Sequence, residues 1–187
     1  TSFKKMKNTK DFTSGSVLSA LIKFAIPVLA AMFLQSLYGG VDLLVVGQFA
    51  STADVSGVAT GSQLMHTVTA VITGLSMGIT VYVGQKIGER KENEAGKAIG
   101  TGILFFIILG IAVSAFLVLC ASLLSDLLHA PVEAYEQTCN YITVCGYGTL
   151  FICLYNLLGA IFRGIGDSKT PLLTVFIACI CNVFTNI

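Results

Sequence analysis

Apolar residues run along this chain in five long stretches separated by short polar links. Their lengths, and the helical spacing of the few polar residues inside them, predict helices over about 20–49, 55–85, 98–125, 131–162 and 171–187. Several stretches hold uncharged runs of about 18 residues or more, enough to cross the hydrocarbon core of a bilayer. A soluble chain of this length can bury one core but cannot hide several such runs. The expected fold class is therefore all-α, a polytopic membrane helix bundle. Residues 1–16 form a basic, polar N-terminal segment with Lys4, Lys5, Lys7 and Lys10, expected to be disordered or to lie at the interface. Val17 to Lys23 then lead amphipathically into residues 17–187, the membrane part.

Local punctuation refines the helices. Pro27 lies inside the first and is expected to kink it, because proline lacks a donor and clashes one turn back. Asp54 reads as the cap of the second helix. Within that helix Gly74 and Gly78 form a GxxxG pair suited to close helix approach. The third predicted helix has no charge and is the best candidate to face lipid. Pro131 suits the first position of the fourth, with Glu133 and Glu136 near its positive end. Thr170 and Pro171 suggest a cap and first turn for the fifth.

Composition agrees with this reading: 55% of residues are hydrophobic and 11% charged, far from soluble averages. No acidic or basic patch suggests nucleic acid. Every Lys and Arg precedes the first helix core, lies between helices two and three, or follows helix four. The links at 50–54 and 125–137 have none. The positive-inside rule then places the N-terminus and both basic loops in the cytoplasm, within a cell (inner) membrane, and leaves Ile187 outside. No cleavable signal peptide is expected. A first residue other than Met, a plausible start at Met6, and an apolar last residue suggest the first part of a longer protein. Cys120, Cys139, Cys145, Cys153, Cys179 and Cys181 have neither CxxC pairing nor nearby His, and read as small buried thiols.

Candidate chemistry begins with Gln35, Tyr38 and Asp42, whose spacing puts them on one face of the first helix. Asp42 is the one acid placed well inside the membrane, about six residues or roughly 9 Å from its outer helix end. An intramembrane carboxylate persists mainly where it faces a cavity, a partner or an ion path. Desolvation raises its pKa and a bound cation lowers it, so it can exchange H⁺ or Na⁺ for a cationic substrate. The competing reading is a protonated carboxyl held by neighbouring helices. Ser62, His66, Thr69, Thr73, Ser76 and Thr80 make a continuous polar stripe on the second helix, for packing or for lining a cavity. His66 reads as a hydrogen-bonded interior residue or a proton relay. Tyr141 and Tyr155 can stack on flat cations or pack as ordinary aromatics, and Asn156 lies on the same helix. Asn182 and Asn186 share a face at i and i+4 and can coordinate a cation, but cannot titrate. No HExxH, GxSxG or phosphate loop is present, so the chain is not read as an enzyme, and no cofactor is expected.

Three segments resemble a known family. IPVLAAMFLQSLYGGVDLLVVGQF, with Pro27, Gln35, Tyr38 and Asp42, resembles the first helix of multidrug and toxic compound extrusion (MATE) transporters. VGQKIGERKENEAGKA is similar to the family's second cytoplasmic segment, and FRGIGDSKTPL to its RGxGDxxTP signature. The resemblance implies part of a two-lobed, twelve-helix antiporter exporting drugs or toxins against a Na⁺ or H⁺ gradient. It also implies a C-terminal half of the same chain as partner. It gives Asp42 the coupling-cation role, with Asn182 and Asn186 beside it. Pro27 takes the bending position; Gln35 and Tyr38 line the substrate pocket, with His66, Tyr141, Tyr155 and Asn156 as further candidates. No metal beyond Na⁺ at Asp42 is implied. Asn186 stands where many members carry an acid, and Gly39 where some carry Asn. The alternative is a lipid-linked oligosaccharide flippase of related architecture.

Overall fold

The computed structural model describes residues 17–185, apart from the side chains of 17, 38, 41–46, 49 and 182–185. Its elements are α1 (Val17–Phe49), α2 (Thr52–Gly88), α3 (Glu92–Leu119), α4 (Ala121–Leu127), a short 3-10 turn (Val132–Ala134), α5 (Tyr135–Gly164) and α6 (Lys169–Thr185). Leu18–Leu37 within α1, all of α2 and α3, and the 132–164 segment are each long and apolar enough to cross a membrane; α6 is a shorter apolar helix. The protein is an all-α, multi-pass membrane chain.

Helix boundaries follow from local hydrogen bonds. Ser51, not Asp54, caps α2: the Ser51 hydroxyl accepts from the Asp54 N–H at 3.2 Å and donates to Asp54 Oδ2 at 2.6 Å. Asp54 Oδ2 also accepts the Ser51 N–H at 3.2 Å, completing a reciprocal capping box. Three helix ends close identically, with an N–H reaching back five residues: Lys91 to Lys86 O at 2.8 Å, Ala130 to Ser125 O at 3.1 Å, Asp167 to Phe162 O at 2.9 Å. This closure puts the preceding residue in the left-handed region, at Arg90 (φ 61°), His129 (φ 53°) and Gly166 (φ 82°). The run expected as one helix over 98–125 starts earlier, at Glu92, and breaks at Cys120 (φ −107°, ψ 15°). Glu92 and Glu94 favour the earlier start by lying at the positive helix end. Pro131 (φ −54°, ψ 141°) precedes the 3-10 turn instead of opening α5.

The chain divides into two compact units. One contains Leu44–Met77 and Gly100–Leu158. Its core joins Met65 of α2, Leu117 of α3, Ala121 and Leu124 of α4, and Ile142 of α5. Glycines set the helix approaches: a Cβ at Gly57 would lie 2.6 Å from Gln137 Cβ, and one at Gly61 would meet the Tyr141 ring. Gly110 likewise meets Leu150, and Gly146 meets Val118. The expected GxxxG contact at Gly74 and Gly78 is not made, since nothing lies within 4 Å of either missing Cβ. The pair in use is Gly57 with Gly61, whose four-residue spacing matches Gln137 and Tyr141. α3 is no lipid-only helix either, because Phe106 and Leu117 are fully buried. Its most apolar window is 22% buried, against 0% for that of α1.

The other unit contains α1 up to Leu43, Gly78–Ile99 and the chain from Gly159. Val83 and Ala160 are fully buried there. A Cβ at Gly164 would stand 3.0 Å from Thr80 O and 3.1 Å from Val83 Cβ, so α2 and α5 nearly touch at the backbone. The polar link beside them is tied by Lys86 to Glu89 (3.2 Å) and Glu94 (3.0 Å), and by Lys91 to Glu89 (3.0 Å). The Lys91 ammonium, then that of Lys86, holds the Glu89 carboxyl below its usual range. Such exposed pairs add little stability.

Candidate functional site on the α2–α5 seam

The polar stripe of α2 is where sequence-selected residues meet across helices. Thr73 donates its hydroxyl to Asn156 Oδ1 at 2.9 Å, and Asn156 Nδ2 donates to Ile152 O at 2.9 Å. Together these bonds fix the amide plane of Asn156. Ser76 is fully buried, its hydroxyl on Thr73 O at 2.8 Å. In the other unit Thr80 donates to Ala160 O at 3.0 Å. Interhelical bonds of this kind average about 0.6 kcal/mol in membranes and reach roughly 1.7. The stripe therefore serves packing at Thr73, Ser76 and Thr80. His66 remains exposed, and the Ser62 hydroxyl turns back onto Ala59 O at 3.0 Å.

The remaining candidates are spread more widely. Tyr141 is half-buried against Gly61 and the apolar core, so much of its ring is committed to α2–α5 contact. Tyr155 is exposed on α5, one residue from Asn156. Gln35 is exposed on α1, and α1 continues unbroken as helix through Pro27. The side chains of Tyr38, Asp42 and Asn182 lie outside the described residues, as does Asn186 entirely. Within the seam itself the groups are neutral hydroxyls, amides and rings. Among the described residues no three His, Cys, Asp or Glu converge to hold a metal ion. Among the described residues no disulfide is formed; Cys153 is buried and Cys181 exposed.

The RGIGDSKTP segment has a structural explanation. Gly166 takes the left-handed turn that ends α5, and Asp167 then caps α6. Asp167 Oδ1 accepts the Lys169 and Thr170 N–H groups at 3.0 and 3.1 Å, and Oδ2 accepts the Thr170 hydroxyl at 2.6 Å. Asp167, not Thr170, is thus the cap, because only its carboxylate reaches two free N–H groups at once. Burial pushes its carboxyl up, but the Thr170 hydroxyl and the two N–H groups outweigh this and hold it below the usual range. Sequence reasoning marked Thr73 only as a stripe member and missed Gly57 and Gly61. The available signal was a second GxxxG, GVATG, near the start of α2.

The MatE family model matches residues 27–187. The chain is 28% identical over 172 residues to the Probable multidrug resistance protein YpnP of Bacillus subtilis (strain 168), covering 92% of this chain and 39% of that protein. It is 25% identical over 175 residues to YoeA of the same organism, also a probable multidrug resistance protein, covering 94% and 38%. The probable multidrug resistance protein NorM of Thermotoga maritima shares 26% over 164 residues, covering 88% and 35%. Among solved structures, a MOP superfamily transporter from Pyrococcus furiosus Vc1 (DSM3638) superposes with a TM-score of 0.90 at 22% identity. That match covers 98% of this chain and 40% of the other, whose binding pocket is described as of reverse polarity, suggesting a different function. The chain spans about two-fifths of the length of these relatives.

Proposed function

The chain belongs to the MatE family, and from that premise we propose that it forms the first-lobe part of a secondary antiporter exporting small organic, often cationic, compounds. The coupling ion is Na⁺ or H⁺, and no other cofactor takes part. Relatives named as multidrug resistance proteins support the export reading, and the four membrane-long helices support its location. Cations confined to three chain segments support a cytoplasmic N-terminus in the cell (inner) membrane. The remainder of a longer chain supplies the second lobe.

One observation carries the proposal: a single acid, Asp42, placed by the sequence deep in an apolar helix beside Gln35 and Tyr38. Asp42 takes up the coupling cation, with Asn182 and Asn186 as neutral ligands. Cargo rests against hydrogen-bonding and aromatic groups such as Gln35, Tyr38, Tyr155 and Asn156. Helix one bends near Pro27 to change access. The test is dye efflux by the full-length protein in energised vesicles, wild type against Asp42→Asn at equal expression. Loss of efflux is expected; undiminished efflux removes Asp42 from the mechanism. A second reading, a lipid-linked oligosaccharide flippase, draws on a MOP superfamily neighbour described as differing in function. A flippase for anionic headgroups requires cations inside the membrane. Among the described residues, Lys and Arg lie in links or within about two turns of a helix end, Lys23 being the seventh residue of α1, which favours the antiporter.

A further inference from the structure

The glycines of this chain fall into two groups by what a side chain would meet. At Gly57, Gly110, Gly146 and Gly164 a Cβ would press to within 2.6, 2.8, 2.9 and 3.0 Å of a neighbouring helix, so packing accounts for them. At Gly74 and Gly78 of α2 and Gly100 of α3 nothing lies within 4 Å. These three sit inside long helices, where glycine weakens the helix and contributes no side chain. Gly39, Gly40, Gly47, Gly88 and Gly96 are also open, but lie in α1 or near helix ends; Gly148 is open within α5.

Two further observations single out α2 and α3. The compact units change over in four helices, after Leu43 in α1, Met77 in α2, Ile99 in α3 and Leu158 in α5. Only in α2 and α3 is the residue at the change, Gly78 or Gly100, a glycine with nothing within 4 Å of its missing Cβ. Beside the first, the buried Ser76 hydroxyl bonds Thr73 O at 2.8 Å, competing with the helical ladder. Sharp helix bends occur at proline and at glycine–serine combinations, and α2 reads GLSMG here while α3 reads GTG. A bend also needs unoccupied space, which the missing Cβ contacts provide.

We propose that α2 and α3 are hinged helices, bending at Gly74–Gly78 and at Gly100 as the transporter changes access. The proposal rests on the transport reading for its purpose, not for its mechanics. The competing explanation is that these glycines receive a close helix from the remainder of a longer chain. In the full-length protein, Gly78→Ala and Gly100→Ala, singly and together, separate the two. The hinge predicts a severalfold loss of dye efflux in the double variant and an unfolding midpoint equal to or above wild type. It also predicts slower hydrogen–deuterium exchange over 70–82 and 96–104. Gly146→Ala, at a packed glycine, serves as the control that lowers the midpoint. A similar fall in the double variant overturns the hinge in favour of close packing, and wild-type efflux in that variant overturns it outright. Exchange is read without any cargo, so its failure to slow overturns the hinge alone. Absent efflux in wild type overturns only the export reading.

Discussion

Gly57 sits where α2 meets α5, and the effect of giving it a side chain follows from the geometry. A Cβ there would stand 2.6 Å from Gln137 Cβ, 3.1 Å from the Gln137 carbonyl carbon and 3.1 Å from the Thr138 nitrogen. Carbon atoms settle at about 3.5–4.0 Å, so the two helices must part locally by roughly 1 Å. Two of the three atoms are backbone, so no rotamer change at Gln137 relieves the clash. Overpacking of this kind costs about 1–3 kcal/mol. Alanine's better helix propensity returns up to about 1 kcal/mol. The gap also weakens dispersion contacts along the seam, where Met65 and Ile142 lie in the core. Gly57→Ala should therefore destabilise the protein by about 1–2 kcal/mol. The assay is reversible unfolding of purified full-length protein in detergent, followed by circular dichroism. Gly148→Ala is run in parallel because nothing lies within 4 Å of its missing Cβ. That control should match or exceed wild type. Equal stability of the two variants would refute the close approach and the seam built on it.

Other outcomes follow from single contacts. A double-mutant cycle of Thr73→Val and Asn156→Leu should give a coupling of about 0.6–1.7 kcal/mol; zero coupling means the 2.9 Å bond is not formed in the folded protein. Asp167→Ala should cost about 1 kcal/mol by uncapping α6, whereas Asp167→Asn, an equally good cap type, should cost less. Because the native Asp167 carboxyl is held below its usual range, its contribution is complete above the ordinary carboxylate pKa. It is lost as pH falls through the lowered native value, so the stability gap to Asp167→Ala should narrow in acid. Arg90→Gly should stabilise by roughly 1 kcal/mol by relieving a left-handed backbone, and a lowered midpoint would rule that out.

Length and hydropathy were enough to place the helices, because no other arrangement keeps such runs out of water. The ends were harder to read. Asp54 and Thr170 both sit at helix starts, and both proved to be the third member of a cap led by Ser51 or Asp167. A hydroxyl or carboxylate at either place suits the rule, and only the backbone path shows which one reaches the free N–H groups. The break at Cys120 left no mark in the sequence, since a run of apolar residues continues across it. Arg90 and His129 were silent for a different reason: neither is the glycine that the left-handed position favours.

The same limit governs the site. Gly57–Gly61 and Gly74–Gly78 have the same spacing on the same helix, yet one pair meets α5 and the other meets open space. Thr73 and Asn156 were each singled out, but their bond spans a sequence separation of 83, beyond the reach of any helical period. Periodicity names the residues that share a face; what that face touches depends on a helix folded from a distant part of the chain. A stripe of threonines is therefore ambiguous until its partner is known, and here the partner divides it. Thr73, Ser76 and Thr80 are tied into bonds within α2 or to α5, while His66 stays exposed. The hydroxyls of Thr73 and Thr80 are thereby committed to holding α2 against α5.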